Sequence, residues 1–391
     1  MTSEADALPA DNPAIALRLR NEIQLRGPIT FARFMEIALY DPEAGYYTGA
    51  ETRAGRGGDF LTAAESHPLF GRAIARQVAE VAERLGRPAR FVVREHGAGS
   101  GALGVAILAG LRDEAPEVAA TVRYQPVETA AVRLAAIEAR LASAGLGEFL
   151  DPASGPVTGV VLANELLDAL PAHRVLRDSR GELREVFVGL DAAGALIDVI
   201  AEPSTPQLEE RLSADGVGLE RGQRAEICLA IDDWVAAAAA SLEQGVLLLI
   251  DYGYPAAALY NAGERPDGTL RAYIRHRVHA DPYRHLGRQD LTTHVDLTAV
   301  ERAAVAAGLT PLGATTQAEF LIALGIGELL AAFEKDAGTD LQAALEARGA
   351  LRRMLDPRVT GRFAVRAFGR GVEPEPPLRG FALPRTPSLS S

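Results

Sequence analysis

The chain has 391 residues, 48% of them hydrophobic and 24% charged, a composition that excludes disorder as the default and leaves room for an α/β domain plus a smaller domain or large insertion. A net charge of -12 argues against a general nucleic-acid binder, which would carry a basic face. The single cysteine, Cys228, excludes intrachain disulfides and multi-cysteine metal sites, and no apolar run reaches the ~18 residues of a membrane helix.

Residues 1–11 read as a frayed acidic tail without a signal or transit pattern, so the cytoplasm is the expected compartment. Asn12 and Pro13 start a helix whose Ile15, Leu19 and Ile23 share one face, and Gly27-Pro28 stops it. Thr30 caps a second helix that Asp41-Pro42 ends. Residues 45–58 form a glycine-rich polar loop, and a long helix follows over 67–85. This N-terminal helical segment with its covering loop spans 1–88.

From residue 89 the pattern changes. Phe91-Val92-Val93 is a short apolar strand leading into Gly97-Ala98-Gly99-Ser100-Gly101, then a helix through Leu103, Ile107 and Leu108. A strand over 122–127, a helix over 130–144, a strand at Val160-Val161-Leu162-Ala163 and another over 245–250 follow. Strands alternating with helices predict a doubly wound, mostly parallel sheet, and their unbroken apolar runs fit burial on both faces. The expected architecture is α/β: a Rossmann-like core over 89–171 and 243–370, interrupted by a substrate-facing insertion at 172–242 that ends in a helix over 224–242. Thr298 and Glu301 match a capping box for a helix over 298–307. Residues 371–391 are proline-rich and read as a loose C-terminal tail.

A strand, glycines and a helix start make a site for a nucleotide-like ligand. Glycines let the backbone approach the ligand closely, and the helix N-terminus offers free N–H groups. Glu128 ends the next strand, where an acid accepts hydrogen bonds from ribose hydroxyls. The loop alone does not separate S-adenosylmethionine (SAM) from NAD, because Gly97-x-Gly99-x-x-Ala102 also satisfies the dinucleotide pattern. Glu95, just before the glycines, favours SAM, since an acid there lies near the amino-acid end of that ligand.

Longer motifs carry a family resemblance. They are Phe34-Met35-Glu36-Ile37-Ala38-Leu39-Tyr40-Asp41-Pro42, Gly45-Tyr46-Tyr47, Gly58-Asp59-Phe60-Leu61-Thr62, the glycine loop, Asn164-Glu165-Leu166-Leu167-Asp168, Asp251-Tyr252-Gly253-Tyr254, Thr269-Leu270-Arg271-Ala272-Tyr273 and Asp290-Leu291-Thr292-Thr293-His294. In this order, over roughly residues 15–330, the chain resembles the MidA/DUF185 group of SAM-dependent methyltransferases, a class I methyltransferase fold. His96 stands where that family usually has an aliphatic residue. The resemblance implies SAM as cofactor and a protein partner, in some members an arginine of a respiratory complex I subunit.

Guanidinium is cationic and delocalised, so carboxylates are needed to orient it and localise its charge. Glu165 and Asp168, at the C-terminal end of a predicted strand, are the candidate catalytic pair, and a helix starting there would put both on one face. The cofactor-binding candidates are Glu95, Gly97, Gly99, Gly101, Glu128 and Asn164, with Asp59 and Thr62 in a lid over the cofactor. The alternatives are a small-molecule methyltransferase, or a non-catalytic assembly chaperone that keeps the fold. Neither nucleic-acid binding nor membrane insertion is expected. The spacings of His276, His279, His285 and His294 match no zinc pattern, so no metal is expected, and Cys228 in its apolar run is expected to be buried and inert.

Overall fold

The structure is a computed structural model that describes residues 8–49 and 63–383. Asp59 and Thr62 lie outside the described residues. The chain groups into two compact units, one of residues 1–60, 167–234 and 253–302, the other of residues 61–166, 235–252 and 303–391.

The second unit holds a six-stranded sheet in the order Thr310–Thr316, Ala364–Arg370, Leu242–Asp251, Val157–Asn164, Phe91–His96, Val122–Val127. The last four pair in parallel, while Ala364–Arg370 runs antiparallel to both of its neighbours. Val93, Val160, Leu162, Leu248 and Ile250 of these strands join one core with Phe70 and Ile74 of helix Leu69–Arg84 and Leu103 and Ile107 of helix Ala102–Glu114. Each such side chain contributes roughly 1.5–3 kcal/mol. Strand Phe91–His96 lies between Val122–Val127 and Val157–Asn164. The connections therefore diverge there, the position at which open α/β sheets place their ligand crevice.

Arg94, unusual in a buried strand, is 8% exposed. It donates to Gln125 Oε1 at 2.9 and 2.6 Å and to the carbonyl of Gly155 at 2.7 Å, and burial lowers its pKa. Its role is to stitch the sheet edge, not to bind ligand.

The first unit combines helices Pro13–Arg26 and Phe31–Tyr40 with antiparallel strands. Asn12 and Thr30 cap the two helices as expected. Strands His173–Arg177, Leu183–Leu190, Leu196–Ala201 and Arg224–Ile227 form one sheet, joined by Ile29–Thr30. Strands Arg271–Ile274, Arg277–His279 and Asp290–Thr292 form another. The expected boundaries are redrawn here: residues 253–302 group with the N-terminal helices and not with the parallel sheet. The reason is apolar burial, because Leu270, Ala272, Leu286 and Leu291 share a core with Ile15, Leu19, Phe34 and Leu39.

Three local expectations are corrected. The predicted helix over 224–242 begins as strand Arg224–Ile227 and becomes helical only at Ala230–Ala240. Helix Leu297–Ala306 is capped by Asp296, whose Oδ1 accepts from Thr298 N at 3.0 Å and Ala299 N at 3.1 Å. The Thr298 hydroxyl instead accepts from Ala256 N. The C-terminal segment is docked through residue 383, with Leu378 1% exposed and the Arg84 guanidinium donating to the carbonyls of Pro376 and Pro377 at 2.7 and 2.9 Å. The carbonyls of this proline-rich stretch are thus satisfied by one arginine. Cys228, expected to be buried, is half-buried, and desolvation of its thiol pushes the pKa up to about 12, which keeps it protonated at neutral pH. Among the described residues, no helix is long and apolar enough to cross a membrane.

Candidate active site

The glycine loop leaves strand Phe91–His96 and enters helix Ala102–Glu114, with Gly97, Gly99 and Gly101 all at positive φ. Gly99 is the position that matters most. Its φ is +57°, and among the described residues, beyond its chain neighbours, the nearest atom to a Cβ placed there would be 3.9 Å away, which leaves room for a ligand to approach the backbone. The Glu128 carboxylate accepts the Gly99 N–H in a short hydrogen bond, which ties the acid at the end of the second strand to the loop.

Glu95 is 3% exposed and accepts from the Tyr124 hydroxyl at 2.7 Å. Burial is the main cause that pushes its carboxyl up to about 8, against the opposing Tyr124 bond, with the Glu128 charge adding to the rise. Tyr124 reaches Glu95 only because residue 104 has no side chain: a Cβ there would lie 2.3 Å from Tyr124 Cζ. Neither Tyr124 nor Gly104 stands out in the sequence, although a glycine in the first turn of the helix is the available signal. His96 is kept neutral, its pKa lowered to about 4 chiefly by burial.

Strand Val157–Asn164 delivers the next group. Asn164 Oδ1 is buried without a hydrogen-bond partner among the described residues, while its Nδ2 donates to Glu165 Oε1 at 3.3 Å. Glu165 has φ +51°, a left-handed backbone that costs a residue with a Cβ about 1–2 kcal/mol. Two bonds hold it: Glu165 N donates to the Ile250 carbonyl at 2.8 Å, and Leu166 N to Asp251 Oδ2 at 3.1 Å. Asp251, 3% exposed, also accepts from Tyr252 N at 2.8 Å through Oδ1. It is therefore a clamp on the Glu165 turn. Asp251→Ala is expected to lower stability by ~1–2 kcal/mol, two half-buried N–H groups losing their acceptor, as read from urea unfolding. It should also cut turnover, since the Glu165 turn loses its restraint.

The single-helix arrangement expected for Glu165 and Asp168 does not form. Glu165 lies outside any helix, and Asp168 sits in a one-turn 3-10 segment, Leu167–Ala169, of the first unit. Asp168 is 5% exposed, and its carbonyl accepts from Thr293 N at 2.8 Å. Nearby, Tyr47 donates to Asp290 Oδ1 at 2.6 Å and stacks on Tyr40 at 5.4 Å. Burial first, then the charges of Asp290 and Asp168 among its neighbours, raise the Tyr47 pKa. Tyr252 packs on Phe363, and Tyr254 on His294 with the Arg265 guanidinium 4.0 Å from its ring centroid. His279 and His285 meet edge to face, and His285 Nδ1 is 2.5 Å from the Pro9 carbonyl.

Residues 73–315 match the family model described as S-adenosyl-L-methionine-dependent methyltransferase. A Burkholderia thailandensis protein solved with S-adenosyl-homocysteine bound is 33% identical, with a TM-score of 0.85 over 96% of this chain and 98% of that one. The chain belongs to the S-adenosyl-L-methionine-dependent methyltransferase family. It is also 27% identical to the Mus musculus protein arginine methyltransferase NDUFAF7, mitochondrial, over 90% of this chain and 84% of that one. The Drosophila melanogaster homologue is 28% identical over 75% of this chain and 71% of its own.

The methyltransferase uses SAM, which supplies an electrophilic methyl on a sulfonium, and the residues present fit it. Gly99 would offer backbone, Glu128 would accept from ribose hydroxyls, and Glu95 with Asn164 Oδ1, which has no partner among the described residues, would receive an ammonium. Glu95 makes this testable through protons. With a pKa of about 8 it is about nine-tenths protonated at pH 7, and a cationic ammonium beside it favours the ionised form. Binding of S-adenosyl-homocysteine at pH 7 should release about one proton, measured by calorimetry in buffers of different ionisation enthalpy, and Glu95→Gln should abolish the release. Without ligand the sign is opposite. Below about pH 4.5 the group is protonated in both folded and unfolded chains. As pH rises towards 8 the folded chain keeps a proton the unfolded chain has lost, so stability falls through that window. Glu95→Gln should flatten that slope.

Proposed function

We propose that this methyltransferase modifies an arginine of a protein partner, with a respiratory complex I subunit as the partner and assembly of that complex as the setting. The names of the relatives and the MidA/DUF185 resemblance support the substrate class. The observation that carries the reading is Glu165, a carboxylate held in a strained left-handed turn at the strand end next to the glycine loop. Strain of this kind is retained where a side chain has to be aimed.

In this reading the Glu165 carboxylate accepts hydrogen bonds from the guanidinium, localises its charge on the far nitrogens and turns the attacking nitrogen towards the methyl. The proton leaves that nitrogen for a carboxylate as the N–C bond forms and the C–S bond breaks. Asp168 is the proposed second carboxylate. Four parallel strands meeting at a switch point support a Rossmann-like class I core as the platform. The test is to incubate the protein with tritiated SAM and purified complex I peripheral-arm subunits, hydrolyse, and separate the labelled amino acids. Label in methylarginine supports the proposal. Label confined to other amino acids or small molecules, or no transfer by protein that binds S-adenosyl-homocysteine, overturns it.

A further inference from the structure

The charge of this chain is unevenly placed. Residues 271–288 carry five arginines (Arg271, Arg275, Arg277, Arg284 and Arg288) and a single acid, Asp281, in a chain that elsewhere is strongly acidic. The stretch contains the hairpin of strands Arg271–Ile274 and Arg277–His279, paired Ala272 to His279, Tyr273 to Val278 and Ile274 to Arg277. Its two-residue turn is Arg275-His276, with φ +45° and +60°. Turns of this kind favour asparagine and glycine, yet here the positions are occupied by cationic and titratable side chains, both exposed.

The hairpin has two faces. Ala272 and Ile274 are 1% and 0% exposed. On the other face Arg271 is exposed, Tyr273 half-buried and Val278 56% exposed, so strand alternation sets an aromatic and an aliphatic group beside a cation. Arg271 on this face, Arg277 at the hairpin end opposite Ile274, and Arg284 in the segment after the hairpin are all exposed, and none pairs with a carboxylate among the described residues. On the neighbouring five-stranded sheet, by contrast, Arg174, Arg177, Arg184 and Arg224 each pair with an acid.

We infer that this cationic hairpin docks an acidic segment, with interspersed apolar residues, of the protein substrate. The inference rests on the protein-methyltransferase reading above and names how that substrate is held away from the reacting atoms. Charges beyond a Debye length of ~8–10 Å are largely screened, so a short acidic segment meets the patch alone. A nucleic acid or an anionic membrane extends past it onto the acidic remainder of the surface and is repelled there.

The test measures anisotropy of a fluorescein-labelled 12-residue peptide of Glu, Asp and Leu with the full chain at 50 and 300 mM salt. The same titrations run with Arg271→Glu/Arg277→Glu/Arg284→Glu, with the corresponding triple Gln variant, and with phosphatidylserine vesicles and a 20-nucleotide DNA strand as competitors. The expected result is binding that weakens at least tenfold between the two salts, at least tenfold in the Glu variant and less in the Gln variant. Affinity for S-adenosyl-homocysteine should stay within twofold throughout, which shows that the variants fold. Equal binding by wild type and Glu variant, salt-independent binding, or tighter capture of vesicles or DNA than of peptide overturns the docking proposal. Failure of the methyltransferase reading would show separately, as lost S-adenosyl-homocysteine binding or absent methylarginine with the peptide result unchanged.

Discussion

Replacing Glu128 by alanine is expected to weaken S-adenosyl-homocysteine binding by about 100-fold, or ~2.7 kcal/mol. The figure follows from what the carboxylate does. It is an acceptor just after strand Val122–Val127 that is expected to meet ribose hydroxyls, and bonds to charged groups are worth ~1.5–3 kcal/mol each. It also accepts the Gly99 N–H, so its removal frees the loop whose bare backbone the ligand has to approach. Glu128→Gln keeps an acceptor for that N–H but not the charge, and should fall between, at about tenfold. Calorimetric titration distinguishes these outcomes. A change of less than threefold in the alanine variant would show that the acid serves the loop and not the ligand. Stability should move little, because a partly exposed Gly99 N–H can turn to water.

The second large effect belongs to Glu165. Glu165→Gln should lower kcat by at least ~100-fold, the lower end of what general acid–base groups supply, while S-adenosyl-homocysteine affinity stays within threefold. The amide preserves size and one acceptor oxygen, so the left-handed turn and its bonds to Ile250 and Asp251 survive. What disappears is the negative charge that, in the proposed reading, localises the guanidinium and favours loss of its proton. Unchanged turnover with a methylarginine-forming substrate would remove Glu165 from the chemistry and leave it as a residue of the strand-end turn. Asp168→Asn should be run beside it: it tests the same proposal from the first unit, where the carboxylate is set among Tyr40, Tyr47 and Asp290.

Much of this arrangement is legible in the residues themselves. Helix starts at Asn12 and Thr30, the buried face of Ile15, Leu19 and Ile23, and strand Val122–Val127 follow from capping chemistry and apolar periodicity, which act over a few residues. So does the glycine loop, because left-handed backbone at Gly97, Gly99 and Gly101 is a local demand. Glu95, Glu128, Asn164 and Glu165 are identifiable because strand ends in a parallel sheet are predictable once the strands are. Tyr124 is not, because its meaning depends on residue 104, which lies about 20 positions away and matters only for lacking a Cβ.

The sequence by itself determined the α/β class of fold and the parallel strand succession from short-range patterns of side chain and backbone, and the cofactor through the longer motifs that carry the family resemblance. Only the tertiary structure decided where apolar surface beyond those patterns is buried. Residues 253–302 join the N-terminal helices because Leu270, Ala272, Leu286 and Leu291 find their core there. The proline-rich end docks because Arg84 satisfies its carbonyls and Leu378 is buried. The turn at Glu165 is left-handed and not helical because Asp251, 85 residues on from Leu166, claims the Leu166 N–H that a helix start would have left to solvent. Such choices are made by groups distant in sequence competing for the same buried space and the same hydrogen bonds, and no local pattern records who wins.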